Sequence, residues 1–141
     1  MMERITAAQN AHDAAAFAEL FAVGYDSSQP AHPGRAFQGR EQVLANWTAV
    51  FEGVRDFHAD LVASASDEAE GGTTEWGEVD WSGRHTDGTP FAMRGVLIVT
   101  VRDGLIAQGR LYVEPVDAPG GDDIGSAVEE LYRPPEPAAG D

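Results

Sequence analysis

The chain has 141 residues, enough for one domain with a real core and too few for two ordinary ones. Hydrophobic residues make up 43%, a globular content, and the net charge of −15 comes from 24 acidic and 9 basic side chains, every basic one an arginine. Such acidity repels phosphate backbones and anionic lipid, so neither nucleic acid nor membrane is an expected partner, and the lack of cysteine removes disulfides, thiolate nucleophiles and cysteine-based zinc sites.

Met1-Met2-Glu3-Arg4 has no apolar run behind a positive flank, and no segment reaches membrane-spanning length. A cytoplasmic location is therefore expected. Ile5–Ala11 reads as a short helix, interrupted at His12-Asp13. Asp13 suits the cap of a second helix over Ala14–Ala22, with Phe17, Leu20 and Phe21 on one face. From Gly24 to Gln38 the chain reads as an irregular loop containing Pro30, Pro33 and Gly34. Gly39–Gly53 is the clearest helix, and Val43, Trp47, Val50, Phe51 and Val54 are spaced to form its apolar stripe.

Gly71-Gly72, Asp87-Gly88 and Asp103-Gly104 then punctuate extended segments, and such dipeptides supply the positive φ angles of tight reversals. They predict four antiparallel strands, about Asp56–Ser66, Thr73–His85, Pro90–Arg102 and Leu105–Val116. Residues 1–117 form the expected α+β domain, a curved antiparallel sheet with the N-terminal helices packed on its concave face, where a pocket is expected. Residues 118–133 follow as a linker and short amphipathic helix, with Ile124, Val128 and Leu131 together. Residues 134–141 read as a disordered tail.

Particular segments carry a family resemblance: His32-Pro33 before Phe37-Gln38-Gly39-Arg40-Glu41, then Asp56-Phe57, and Glu78-Val79-Asp80-Trp81-Ser82-Gly83. The hairpin from Arg94-Gly95-Val96 to Asp103-Gly104-Leu105-Ile106, and Gly109-Arg110-Leu111-Tyr112-Val113-Glu114, complete the set. In this order, from about Ala7 to Val116, the chain resembles the nuclear transport factor 2-like superfamily and its SnoaL-like, polyketide cyclase-like branch. The resemblance implies a cone-shaped sheet. Chemistry does not follow from it, because one fold hosts many functions.

Alternation divides each strand into two rows, and the sequence alone leaves open which row faces the cavity. Resemblance to the epoxide hydrolases of the superfamily implies that Glu78 and Asp80 face inward, together with Gly109, Leu111 and Val113. Two carboxylates confined in an apolar cone would titrate apart, giving one acid and one base. The same resemblance implies an essential aspartate where Leu111 stands and an arginine where Glu78 stands, so epoxide hydrolysis by that arrangement is disfavoured. His32 occupies nearly the place of a catalytic Asp-Pro pair in ketosteroid isomerase-like members, and histidine suits proton transfer at neutral pH.

The expected catalytic residues are therefore His32, Asp80 and Glu78, and the expected substrate wall is Trp47, Val50, Phe51, Val54, Met93 and Leu111. His58 with Asp60, and His85 with Asp87, offer pairs but no evident third ligand, so no metal site is expected. With no phosphate loop, dinucleotide fingerprint or nucleophile elbow, no cofactor is expected either. These expectations describe a cofactor-free acid–base enzyme acting on a small hydrophobic, cyclic or polyketide-like molecule, by cyclase, isomerase or dehydratase chemistry. The alternative is a binding or accessory protein that uses the same cavity without turnover. A third reading, a structural interaction domain, requires the cone to be filled by its own side chains. Apolar residues on both rows of the sheet, with Arg94, Arg110 and Glu114 among them, predict a homodimer packed through the outer sheet face.

Overall fold

In the computed structural model, which describes residues 1–136, helix α1 spans Met2–Asn10 and ends where His12 takes a φ of 54°. Asp13 caps α2 (Ala14–Ala18) as expected, its carboxylate accepting the Ala16 N–H at 3.0 Å. The helix stops four residues short of the expected Ala22. Strand β1 (Phe21–Ser28) takes over, because tertiary pairing outweighs local helix preference there: the Leu20 carbonyl already accepts from Ile106 N–H at 2.9 Å.

The segment expected to be an irregular loop thus holds most of β1, a single 3-10 turn at Pro33–Arg35 and the two-residue β2 (Phe37–Gln38). Helix α3 (Arg40–Gly53) follows, and the Arg40 guanidinium fixes its start by donating to the Phe21 carbonyl at 2.8 Å. The four expected strands are β3 (His58–Ala69), β4 (Gly72–Arg84), β5 (Pro90–Arg102) and β6 (Leu105–Pro115). Between β5 and β6, Asp103 and Gly104 have φ of 52° and 77°, the paired positive angles of a tight hairpin turn.

The strands form one sheet in the order β2-β1-β6-β5-β4-β3. Four run as an antiparallel meander, but β1 lies parallel to β6, with Ser27 opposite Gly109, so the sheet is mixed rather than wholly antiparallel. A helix-bearing connection of this length is what a parallel neighbour requires. Helices α1 to α3 cover one face. Val79, Trp81, Leu97, Val99 and Val113 are buried beneath them, joined by Phe17, Val43 and Phe57. Asn10 pins α1 to β3 by two bonds to one residue: its amide N–H donates to the Ala59 carbonyl at 2.9 Å and its oxygen accepts from Ala59 N–H at 2.7 Å.

Beyond the sheet, α4 (Ile124–Leu131) is capped by Asp123, which accepts from Ser126 N–H at 2.8 Å. Its apolar residues are uncovered, with Ile124 81% and Leu131 76% exposed. Of the expected C-terminal tail, residues 134–136 carry no regular element and residues 137–141 lie outside the described part of the chain.

Candidate ligand cavity

Side-chain alternation on β4 decides which groups meet under the helices. Val79 and Trp81 point inward and are buried, which sends Glu78 and Asp80 to the opposite, outer face. This corrects the inward placement inferred for the Glu78/Asp80 row, and the reason lies in the register itself. The inner positions of β4 are the ones opposed by α1, where Met2 sits so close over Gly77 that a side chain there would meet its sulfur at 2.6 Å. On the outer face Asp80 pairs with Arg94, Oδ2 to Nε 3.3 Å. Arg94 is opposite Glu114 on β6, and Glu114 Oε1 in turn accepts from the His32 ring at Nε2, 2.6 Å away. His32, Asp80 and Glu78 therefore belong to or border the outer face, and none of them lines the interior cavity.

The cavity lies between α1, α2, α3 and the inner row of the sheet, with a volume of about 190 Å³. Phe17, Phe21, Tyr25, Trp47 and Trp81 build its aromatic walls. The Trp47 ring lies 4.8 Å from Phe17 and 5.4 Å from Trp81, and Phe21 lies 4.7 Å from Tyr25, tilted or edge-on contacts of the favourable kind. Val43, Val50, Leu97, Val99 and Leu111 complete the apolar lining. Half-buried Gln29, Phe37 and Asn46 border it where the loop after β1 approaches α3.

Of the expected substrate wall, Trp47, Val50 and Leu111 line this cavity. Phe51, Val54 and Met93 do not. Phe51 stacks on the His12 ring at 5.3 Å, Val54 packs over Gly83, and Met93 belongs to the other end of the sheet beside Phe91 and Pro115. The helical stripe of α3 is wider than the cavity, so its C-terminal residues serve the core alone.

Five polar residues at the cavity were not legible as a group: Gln9, Tyr25, Ser27, Gln29 and Asn46. Gln9 carried a signal, a polar side chain four residues after Ile5 on the buried face of the first helix. Tyr25 and Ser27 alternate on β1, which only pairing with β6 makes a strand. Tyr25 lies over Gly109, with its hydroxyl in the space a side chain there would fill. Burial pushes the Tyr25 phenol above its ordinary 10.0; a hydrogen bond from Ser27 opposes the shift and the Asp26 carboxylate adds to it. A neutral phenol is therefore held at the cavity wall.

Among the described residues lining the cavity there is no Asp, Glu, His, Lys or Arg. Gln9 is 1% exposed, and among the described residues neither its amide nitrogen nor its amide oxygen has a partner; the Trp81 indole N–H has none there either. Elsewhere among the described residues, no group of three or more His, Asp or Glu side chains is placed to hold a metal ion, and no helix is long and apolar enough to cross a membrane.

The family model described as "SnoaL-like domain" matches residues 2–109. Among solved structures, the chain is similar to a protein of ketosteroid isomerase-like fold from Catenulispora acidiphila, in complex with trimethylamine. The two share 20% identity over 79% of this chain and 82% of that one, with a TM-score of 0.64. It is also similar to Rv0760c of Mycobacterium tuberculosis, in complex with estradiol-17β-hemisuccinate, at 18% identity over 79% and 88% of the two chains and a TM-score of 0.66. A third, from Sinorhizobium meliloti and named there as a candidate polyketide cyclase, shares 22% identity over 80% and 92% of the chains with a TM-score of 0.60. No curated protein matches the sequence.

Proposed function

The chain belongs to the SnoaL-like domain family, and from that premise we propose that it binds a small, uncharged, ring-bearing molecule in the cavity between its helices and sheet, without acid–base turnover. The observation that carries this reading is the lining: aromatic and aliphatic walls, neutral amides and hydroxyls, and no carboxylate or imidazole. General acid–base chemistry needs a titrating group within hydrogen-bond reach of the reacting atom. Among the described lining residues Tyr25 is the one titratable side chain, and its raised pKa keeps it a proton-bearing donor rather than a base. The reading thus favours the binding alternative over the cyclase, isomerase or dehydratase chemistry that His32, Glu78 and Asp80 would have supplied. Likeness to solved proteins holding an amine or a steroid ester is consistent with a ligand-binding cone.

The test is to incubate the protein with monocyclic and bicyclic ketones, enones and epoxides while recording both binding heat and product by mass spectrometry. Binding with unchanged compounds is expected. Rapid turnover that disappears in Tyr25→Phe would replace this reading with an enzymatic one.

A second copy of the chain is the proposed partner of the outer sheet face. Trp76, Val96, Ile98 and Tyr112 form its apolar middle, and Arg94 and Arg110 stand near Glu78, Asp80 and Glu114, so a two-fold axis could set opposite charges against each other.

A further inference from the structure

We propose that the cavity selects a neutral ring carrying a lactam, a cis-amide whose N–H and carbonyl stand side by side, and that Gln9 is the residue that recognises it. This rests on the cavity being a binding site. Gln9 sits on α1 at the cavity, 1% exposed, with both ends of its amide unpartnered. A buried amide without partners costs free energy that an apolar side chain of similar size would not, so the fold keeps it at a loss that a bound molecule can recover.

The chemistry of the recovery is restrictive. A primary amide offers a donor and an acceptor side by side, and its complement is a group offering an acceptor and a donor with the same spacing. A cis-amide edge provides both, in a reciprocal pair of hydrogen bonds. The last torsion of a glutamine is broad, so the Gln9 amide can turn to meet such an edge without strain. The Trp81 indole, also at the cavity and also unpartnered, donates only, and so calls for an acceptor such as the second lone pair of a carbonyl. The remaining lining is aromatic, which suits a flat ring. A charged molecule is disfavoured, because no lining side chain can pair with it. Size narrows the class further: an apolar cavity of about 150 Å³ takes benzene, so about 190 Å³ accommodates one ring with its substituents.

Calorimetric titration with 2-pyridone, N-methyl-2-pyridone, toluene and benzoate tests the assignment. The lactam and its N-methyl derivative differ in one hydrogen-bond donor; toluene keeps the ring alone, and benzoate adds charge. The expected result is 2-pyridone binding about tenfold tighter than either N-methyl-2-pyridone or toluene, with benzoate weakest. In Gln9→Leu, 2-pyridone should bind no tighter than toluene binds the same variant; because the substitution removes unpartnered polar atoms, its melting temperature should equal or exceed that of the parent chain. If toluene and both pyridones bind equally well, or if Gln9→Leu keeps the preference for 2-pyridone, the ligand class is overturned while the cavity remains a binding site. If none of the four binds, the binding reading falls as well.

Discussion

Gly109 and Tyr25 constrain one another at the level of single atoms. A methyl group added at Gly109 would coincide with the Tyr25 hydroxyl and come within 3.1 Å of Cζ, and an aromatic ring on a strand has little freedom to retreat. Gly109→Ala should therefore cost about 1–3 kcal/mol. In a Tyr25→Phe background the clash is with ring carbon alone, so the penalty should fall. A four-variant cycle in urea measures the coupling, and additive effects would contradict the contact. The phenol also sets a pH dependence. Its folded pKa lies above 10.0, so the folded chain holds a proton that the unfolded chain releases. The stability this contributes is full below about pH 10 and is lost as pH rises through the folded value. Urea midpoints at about pH 9 and about pH 11 should fall more steeply for the parent than for Tyr25→Phe, which cannot titrate there.

Among the elements, the meander was legible and the first edge of the sheet was not. Asp103-Gly104 and Gly71-Gly72 dictate reversal by backbone geometry alone, and the strands they join run within three residues of the expected limits. Nothing local marks Phe21–Ser28 as a strand; it becomes one through β6, far along the chain. The cavity inherits the same division. Trp47, Val50 and Leu111 follow from periodicity, whereas Tyr25 and Ser27 were hidden in a segment that looked like loop, and alternation on β4 could not choose a side until α1 was placed over Gly77. Asn10 illustrates how α1 earns that position. Asn10→Ala removes both bonds to Ala59 and should cost about 1–3 kcal/mol, read from the urea midpoint, while leaving the β-sheet signal in circular dichroism unchanged. By contrast α4, with Ile124 and Leu131 uncovered, contributes little to the core. Ending the chain after Asp117 should change the melting temperature by no more than about 2 °C.

For the molecule as a whole, the proposed pairing of outer faces makes a direct prediction. Light scattering at micromolar concentration should give twice the chain mass, and Val96→Arg with Tyr112→Asp should return it to one by placing unpaired charge at the centre of the apolar patch. A single-chain mass for the parent protein would rule the pairing out. The parallel contact of β1 with β6 has its own consequence, one of timing. The hairpins of the meander join neighbours in the chain, whereas Ser27 and Gly109 are about 80 residues apart, and closing so long a loop is entropically late. β1 should thus dock last in folding and detach first in the native state. Since β1 carries Tyr25 and Ser27, its detachment would open one side of the cavity. Backbone amides of Tyr25 and Ser27 should exchange with deuterium sooner than those of Val79 and Leu97, and a bound ligand should slow the first pair most. Entry to the cavity would then be governed by the breathing of one strand, and exchange kinetics would report the gate that a static lining cannot.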